Sequence, residues 1–253
     1  MRGGQHNVCG CFPTGRHYSG IADRIAAAVS TVVGLAREVD PTTEWVNAKL
    51  AVIDFETTGL DSERDRVLEM GIVLLERGEV TGSHNFLVDP GIPVPEEARK
   101  VHGITDEELA TAPKFEEILS SIVGLLSGRL PVAYNARFDK QFLGAEFGRL
   151  GAPLDVEPPP ALRVEVEWID PLVWVRELQK DEKGHKLTEV CARMGIPLDQ
   201  AHRAAGDAQA TGKLLLALAP HMPRTYSELI RIQRQYDAHQ EAEMVTWRAR
   251  RPN

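Results

Sequence analysis

A short apolar run that leads directly into two carboxylates constrains this chain more than any other feature of its sequence. Residues 50–53 are Leu, Ala, Val and Ile, and Asp54 and Glu56 follow with one residue between them. Such a run is typical of a buried strand, where an unpaired carboxylate is costly. Side chains along a strand alternate between its faces, so Asp54 and Glu56 point to the same side. The fold must bring positive charge to this strand, either from a buried arginine such as Arg137 or Arg203 or from bound cations.

The rest of the chain alternates segments typical of strands and of helices. After the strand over residues 50–55, two further strands are predicted in "RVLEMGIVLLERGEV" and "SHNFLVDP", and their short connections indicate antiparallel neighbours. Two more strands, "LPVAYN" and "VEVEWID", are reached through helices. A turn is predicted in "ERGE". Helices are predicted in "TDEEL", where Thr105 and Glu108 fit a capping box, and in "KFEEILSSIVGLLSG", which Gly128 ends. Further helices are predicted in "FDKQFLGAEFGRLG", "PLVWVREL", "HKLTEVCARMG" and "AAGDAQATGKLLLALA". The predicted fold class is therefore α/β, with a mixed five-stranded sheet flanked by helices.

Both ends of the chain are predicted to lie outside the main domain, which we place at residues 48–221. Residues 1–47 form an N-terminal extension, with a mobile leader over 1–19 followed by an amphipathic helix whose apolar positions are Ile21, Ile25, Val29, Val32 and Leu35. The histidines and cysteines of the leader match none of the usual zinc-site spacings. Residues 222–253 form a C-terminal helical tail. This helix either packs back on the domain or contacts a partner or a nucleic acid through its arginines.

The charge of the chain excludes nucleic-acid binding by overall attraction. The net charge is −8, and residues 48–223 hold 19 basic and 29 acidic side chains. A domain that binds a polyanion through its total charge is basic instead. If this domain handles a polyanion, another source must supply positive charge at the point of contact.

The same composition predicts a cytoplasmic protein that does not enter a membrane. The longest apolar run, residues 25–36, has 12 residues and is too short to span a bilayer. A polar leader precedes this run, which does not fit a signal peptide. Three cysteines do not make a disulfide framework, in agreement with a reducing compartment.

Two further carboxylates and a histidine lie where predicted elements begin. Asp139 stands just inside a helix in "YNARFDKQF", and Asp207 near the start of another in "HRAAGDAQAT". Taken singly, each is explained by the preference of acidic side chains for a helix N-terminus. If these sites converge with Asp54 and Glu56, each pair of charges at 4 Å repels by about 4 kcal/mol at an effective dielectric near 20. Divalent Mg²⁺ or Mn²⁺ offsets that repulsion, and His202 adds a base that titrates near neutral pH.

These residues fall in stretches that resemble a known family. "DFETTGL" with Asp54 and Glu56, "YNARFD" with Asp139, and "HRAAGD" with His202 and Asp207 are similar to the three motifs of the DEDDh exonucleases. This group of 3′-to-5′ exonucleases is related to the epsilon proofreading subunit of bacterial DNA polymerase III. "VHGIT" at 101–105 matches a fourth stretch typical of the group. The resemblance covers roughly residues 48–220 and implies a ribonuclease H-like fold.

The resemblance also implies a mechanism with two divalent cations, Mg²⁺ or Mn²⁺. Asp54, Glu56 and Asp207 are the expected ligands of the first ion, and Asp54 and Asp139 of the second. His202 is the expected general base toward the attacking water, and Glu56 is counted with it among the catalytic residues. The expected contacts to the terminal nucleotide are Thr57, Leu60, His102 and Phe138. Outside the resemblance, Phe138 is read as a core residue and Leu60 as an apolar turn residue.

One position departs from the pattern of the family. Epsilon-type relatives usually have histidine before the asparagine of the second motif, where this chain has Tyr134. The expected ligands are all retained, so the departure bears on the polarity of the pocket and the choice of substrate.

The expected function is the removal of nucleoside 5′-monophosphates from the 3′ ends of single-stranded nucleic acid, DNA rather than RNA, in proofreading or repair. One alternative is an exoribonuclease of the ribonuclease T or oligoribonuclease type. Another is a non-catalytic docking subunit of a DNA polymerase, although such a protein is expected to have lost a ligand or the base. A glycosidase-like carboxylate pair explains neither Asp207 nor His202.

Overall fold

The computed structural model describes residues 32–151, 156–198 and 202–249. The predicted leader and most of the predicted helix over residues 21–35 lie outside these ranges. The last positions of that helix, Val32 and Leu35, are described and are not helical. The chain turns there at Gly34, whose φ of +103° lies in a region that only glycine adopts readily. No helix among the described residues is both long and apolar enough to cross a membrane.

A four-stranded mixed sheet forms the centre of the domain. Its strands are β1 (Lys49–Thr57), β2 (Val67–Glu76), β3 (Glu79–Leu87) and β4 (Leu130–Val132), in the order β3-β2-β1-β4. β1 pairs antiparallel with β2 and parallel with β4, and β2 pairs antiparallel with β3. The connection between β2 and β3 consists of Arg77 and Gly78, both with positive φ, as a tight hairpin turn requires. The predicted mixed sheet and the antiparallel pairing of its first three strands are confirmed.

The predicted fifth strand, "VEVEWID", is wrong as a strand. Its pairing with β4 is limited to one bridge between Val132 and Ile169. β4 offers little to pair with, because it has three residues and its central Pro131 has no N–H group. The backbone N–H of Glu167 instead donates to the carbonyl of Gly34 at 2.8 Å, so the segment leaves the sheet.

Helices surround the sheet, and all of them except α1 were predicted from the sequence. In chain order they are α1 (Glu96–His102), α2 (Asp106–Leu109), α3 (Phe115–Leu126), α4 (Ala136–Arg149), α5 (Pro171–Leu178), α6 (Leu187–Met194), α7 (Ala204–Leu218) and α8 (Tyr226–Ala249). The predicted capping box of Thr105 and Glu108 is present at the start of α2. Gly128, with a φ of +67°, follows the end of α3 as predicted.

The two faces of the sheet are covered by different helices. One face carries Ile53, Phe55 and Ile72, and it belongs to the same buried cluster as α3 and α4. The other face is covered by α7, whose Gly212 approaches the side chains of Val52 and Leu75. Asp54 and Glu56 alternate with Ile53 and Phe55, so they lie on the side of α7.

Candidate active site

Strand β1 places Asp54 and Glu56 beside the neighbouring strand β2. Asp54 is paired in register with Gly71, and Glu56 with Glu69. The register shifts between Glu56 and Thr57, so β1 ends its regular pairing immediately after the second carboxylate. The Glu56 side chain is 9% exposed. Two acidic side chains therefore stand on one face of the sheet where the strand ends.

Helix α4 brings Asp139 to the same region in its first turn. The Asp139 side chain is 2% exposed. The start of α4 is held by Asp170, whose carboxylate accepts hydrogen bonds from the backbone N–H groups of Asn135 at 3.0 Å and Ala136 at 2.9 Å. Asp170 also caps α5 by accepting from the N–H of Leu172 at 2.8 Å. This buried carboxylate, which the sequence analysis did not single out, fixes where Asp139 lies.

His202 and Asp207 enter the site from the loop before α7 and from its first turn. The backbone of His202 has a φ of +64°, an uncommon conformation for a residue with a side chain. Its N–H donates to Oδ2 of Asp207 at 3.0 Å. Glu56, His202 and Asp207 each offer one ligand atom, and these three atoms lie within 4.8 Å of one another. The structure thus joins residues from β1 and from the α7 region in one cluster.

The pKa values of the carboxylates show how closely the acidic groups are packed. Burial raises the pKa of Asp54 well above its usual range, and the charges of Asp139, Asp207 and Glu56 raise it further. Burial, with the charges of Asp207 and Glu69, raises the pKa of Glu56 to about 8. The pKa of Asp139 is also raised, by burial first and then by nearby carboxylates including Glu56. Burial likewise raises the pKa of Asp207.

The residues of this cluster fit a hard divalent cation. Oδ1 of Asp207 is buried and has no hydrogen-bond partner among the described residues, so one acceptor at the centre of the cluster is unsatisfied. The carboxylates of the cluster offer oxygen ligands, which Mg²⁺ and Mn²⁺ prefer. Repulsion among the ionised carboxylates destabilises the folded protein, and a cation between them would offset that repulsion.

An ion pair beneath the cluster holds the His202 loop in place. Glu69 is fully buried on β2, and its carboxylate accepts from Nε and Nη2 of Arg203, with the shortest contact at 2.6 Å. It also accepts from the N–H of Ala204 at 2.9 Å and from the Asn85 amide at 2.7 Å. Glu69 was not predicted as a site residue, although a single acidic residue within the apolar stretch "RVLEMGIVLL" is an available signal.

The arginines proposed as partners of the β1 carboxylates have other ion pairs. Arg203 is paired with Glu69 rather than with Asp54 or Glu56. Arg137 is exposed and lies 3.2 Å from Glu241 on α8. Neither candidate arginine therefore forms an ion pair with Asp54 or Glu56, although the charge of Arg203 opposes part of the rise in the pKa of Glu56.

The residues expected to contact a terminal nucleotide lie around the end of β1 and in the helices next to it. Thr57 is buried and donates to the carbonyl of Gly59 at 2.6 Å, while Leu60 is 87% exposed on the following turn. His102 ends α1, and its Nδ1 accepts from the N–H of Ile104 at 3.0 Å. Burial lowers the pKa of this imidazole. Phe138 is half-buried against the core, with its ring centroid 4.7 Å from that of Phe142.

Tyr134 is fixed by a contact outside the carboxylate cluster. Its hydroxyl donates to the carbonyl of His185 at 2.5 Å, and burial raises its pKa. Tyr134 and His185 line a cavity of about 640 Å³ that also includes His202 and Asp207. Tyr134, the residue that departs from the family pattern, therefore forms part of the wall of this cavity and is not one of the clustered carboxylates.

Comparison with known proteins identifies the domain. A sequence model of the exonuclease family, of the RNase T type, matches residues 51–215. DNA polymerase III PolC-type from Thermotoga petrophila is 31% identical over 199 residues, which are 79% of this chain and 14% of that protein. The PolC-type polymerase of Bacillus cereus is 32% identical over 167 residues, 66% of this chain and 11% of that protein. The chain thus spans a small part of the length of these curated relatives.

Solved structures show the same fold. Exonuclease X in complex with 5′ overhanging duplex DNA has a TM-score of 0.57 at 23% identity, covering 73% of this chain and 99% of that chain. E. coli Exonuclease I in complex with a dT13 oligonucleotide has a TM-score of 0.59 at 20% identity, covering 68% and 41%. The nuclease domain of 3′hExo, a DEDDh family member bound to rAMP, has a TM-score of 0.59 at 17% identity, covering 71% and 95%. The family match over residues 51–215 and the PolC-type relatives show that this chain belongs to the exonuclease family, in the DEDDh group of 3′-to-5′ exonucleases.

Proposed function

We propose that this protein is a metal-dependent exonuclease that removes nucleoside 5′-monophosphates from the 3′ ends of single-stranded DNA. The observation that carries the proposal is the convergence of Asp54, Glu56, Asp139 and Asp207 from three elements of the fold, with His202 beside them. A structural role does not account for this arrangement, because the charges repel one another and raise the pKa values of the carboxyl groups.

Two divalent cations, Mg²⁺ or Mn²⁺, fit the carboxylates of this site. Asp54, Glu56 and Asp207 would hold one ion, and Asp54 with Asp139 would hold the other. When bound, the cations supply positive charge that stabilises the attacked phosphate and the departing 3′ oxygen. This also reconciles the net charge of −8 with a polyanionic substrate.

His202 is proposed as the general base. Its side chain is exposed at the rim of the cluster, and its backbone N–H is held by Asp207 at 3.0 Å. Imidazole accepts a proton from an attacking water most effectively near neutral pH. The Glu69–Arg203 ion pair fixes the residue that follows His202, so the imidazole is carried on an anchored loop.

The terminal nucleotide is proposed to lie against the end of β1 and the turn that follows. Leu60 is free to contact the base, because an exposed apolar side chain gains burial when a ligand covers it. Thr57, His102 and Phe138 are the other proposed contacts to this nucleotide. These four assignments follow the family motifs and are part of the proposal.

The proposed preference for DNA draws on what related proteins are described as binding. Exonuclease X and Exonuclease I were solved with DNA, and the longer relatives in sequence are DNA polymerases. This supports a role in proofreading or repair, alone or with a polymerase. An exoribonuclease is the second candidate, since a structural neighbour is described as a 3′-exonuclease that recognises the histone mRNA stem-loop.

The test uses two single strands of matched sequence, one DNA and one RNA, each labelled at the 5′ end. Each strand is incubated with Mg²⁺, with Mn²⁺ or with chelator. The expected result is metal-dependent shortening of the DNA from its 3′ end, with nucleoside 5′-monophosphate as the product.

The Asp207→Ala variant, which lacks one proposed ligand, is expected to release no nucleotide while keeping its circular dichroism spectrum. Faster shortening of RNA would assign the ribonuclease function, and no shortening of either strand under any metal would contradict the proposal.

A further inference from the structure

A groove between α5 and α8 continues from the candidate active site. The cavity of about 640 Å³ that includes His202 and Asp207 is also lined by Arg176 and His185. The same Arg176 and His185 line a second cavity of about 810 Å³, which lies between α5 and α8. The two cavities therefore adjoin at these side chains, and a polymer that leaves the site on this side enters the groove.

Arg176 marks the junction of the two cavities. Its side chain is half-buried on α5, and its guanidinium makes no hydrogen bond or ion pair with any residue that the structure describes. The nearby Asp170 carboxylate is already bonded to three backbone N–H groups. Burial raises the pKa of Asp170 and the charge of Arg176 lowers it, but the guanidinium donates no hydrogen bond to that carboxylate. Its N–H groups therefore remain available for a phosphate, which guanidinium is well suited to bind. The position of Arg176 therefore favours an anionic ligand in the groove.

The walls of the groove combine aromatic and basic side chains. Tyr236 on α8 packs edge-on against Trp174, with ring centroids 5.4 Å apart, and lines the larger cavity. Trp247 lies further along α8 toward its C-terminus, is 54% exposed and lines the same cavity. Lys180 lines this cavity and Lys186 the smaller one. Stacking surfaces along a basic path are typical of proteins that bind single-stranded nucleic acid.

Acidic residues balance the charge of the two basic residues of the larger cavity, Arg176 and Lys180. Glu177 and Glu243 also line the larger cavity, and Glu243 lies 3.4 Å from His239. A third cavity of about 430 Å³ adjoins Arg176 on the other side. Its lining includes Glu167, Asp170, Asp237 and Glu241 together with the basic residues Arg137, Lys140 and Arg176. Acidic side chains outnumber basic ones there but not in the larger cavity, so the path between α5 and α8 is the more favourable one for a polyanion.

We propose that the groove between α5 and α8 binds the single strand on the 5′ side of the terminal nucleotide. Arg176 contacts a backbone phosphate, and Tyr236 and Trp247 provide surfaces on which bases stack. This inference rests on the proposed function. α8 begins after residue 215, where the match to the exonuclease family ends, so the groove extends the substrate path beyond the matched domain.

The test compares a DNA dodecamer with a dinucleotide, which is too short to occupy both the site and the groove. Binding is measured by fluorescence anisotropy in chelator, and the KM for cleavage is measured with Mn²⁺. The variants are Arg176→Gln and Trp247→Ala. The matched control is Arg137→Gln, which removes an exposed arginine that is paired with Glu241 beside the acidic cavity. Circular dichroism checks that each variant is folded.

The wild type is expected to bind the dodecamer at least about 10-fold more tightly than the dinucleotide. Arg176→Gln and Trp247→Ala are each expected to weaken dodecamer binding by about 10-fold, which reduces the advantage of the longer strand. Arg176→Gln also lowers the salt dependence of binding by the equivalent of about one phosphate contact. The control variant is expected to stay within about 2-fold of wild type.

The proposal is overturned if both groove variants bind the dodecamer as the wild type does. A wild type that cleaves dinucleotide and dodecamer with equal KM also overturns it, while the proposed exonuclease function stands. A wild type that binds the dodecamer through Arg176 and Trp247 but releases no nucleotide supports the groove and contradicts the function instead.

Discussion

At the scale of single residues, Glu56 links the stability of the protein to pH. Burial raises its pKa from 4.5 to about 8. Because the pKa is higher in the folded than in the unfolded protein, the protonated form stabilises the fold. That contribution is fully present below about pH 4.5 and is lost as the pH rises through about 8.

The Glu56→Gln variant tests this effect, because glutamine keeps the shape of the neutral side chain at every pH. In chelator, we expect the Tm of the variant to equal that of wild type near pH 5 and to exceed it near pH 9. Thermal unfolding of both proteins across this range measures the difference. A difference in Tm that does not change with pH would show that Glu56 is not held in a repulsive cluster.

His202 provides a prediction about the rate of the reaction. We expect His202→Ala to bind single-stranded DNA as the wild type does but to cleave it about 100-fold more slowly, as for the loss of a general base. Single-turnover cleavage with Mn²⁺ gives the rate, and the Kd in chelator gives the binding. A wild-type rate would remove His202 from the mechanism, and a weakened Kd with an unchanged rate would make it a binding residue.

At the scale of secondary-structure elements, the contact between β2 and the start of α7 positions half of the site. Gly71 lies opposite Asp54 in the sheet, and a Cβ atom at this position would overlap the backbone of Ala204 and Ala205. Only glycine allows α7 to approach the sheet this closely. His202 and Asp207 depend on this approach, because they stand on either side of Ala204.

We therefore expect Gly71→Ala to displace the start of α7. The variant should lose about 1–3 kcal/mol of stability to overpacking and most of its cleavage activity. Gly124→Ala is the matched control, since a Cβ atom at Gly124 in α3 meets nothing within 4 Å and alanine favours a helix. Denaturant unfolding and cleavage assays compare the two. Equal stability and activity in both variants would contradict the close contact.

The elements that could be predicted from the sequence are those with strong local signals. The apolar run before Asp54, the turn at Gly78 and the capping box at Thr105 each determine structure over a few residues. The fifth strand could not be predicted correctly, because its local β-pattern is overridden by the three-residue length of β4 and by the contact of Glu167 with Gly34.

The candidate site shows the same difference between features set by local sequence and features set by long-range contacts. The motif residues could be named from the sequence, since each stands at the boundary of an element. The partners that hold them in position could not, because Glu69 and Asp170 act through contacts with residues that are distant in the chain. Arg203 was one of two candidate partners for Asp54 or Glu56, and its ion pair with Glu69 depends on the position of α7 over β2.

At the scale of the whole molecule, α8 is connected to the carboxylate cluster through buried polar contacts. Oε1 of Gln233 accepts from the N–H of Asp170 at 2.9 Å, and its amide donates to the carbonyl of Trp168 at 2.8 Å. Asp170 in turn holds the start of α4, the helix that carries Asp139. The first half of α8 therefore packs on the domain and supports the site from behind.

The Gln233→Ala variant is expected to lose about 1–3 kcal/mol, because it leaves buried backbone groups without partners. Gln235→Ala, an exposed position on the same helix, is the control and should leave stability unchanged. Urea unfolding measures both. A wild-type midpoint for Gln233→Ala would show that α8 is not part of the cooperative unit.

Three elements of an acidic protein are proposed to converge and hold divalent cations at one place. A calorimetric titration with Mn²⁺ tests this directly in the wild type, in Asp54→Asn and in the control Asp181→Asn, which changes an exposed acid away from the cluster. We expect two bound ions in the wild type and in the control, and at least about 10-fold weaker binding in Asp54→Asn, which loses a proposed ligand of both ions. Mn²⁺ binding that is absent in the wild type, or equal in all three proteins, would contradict the proposal.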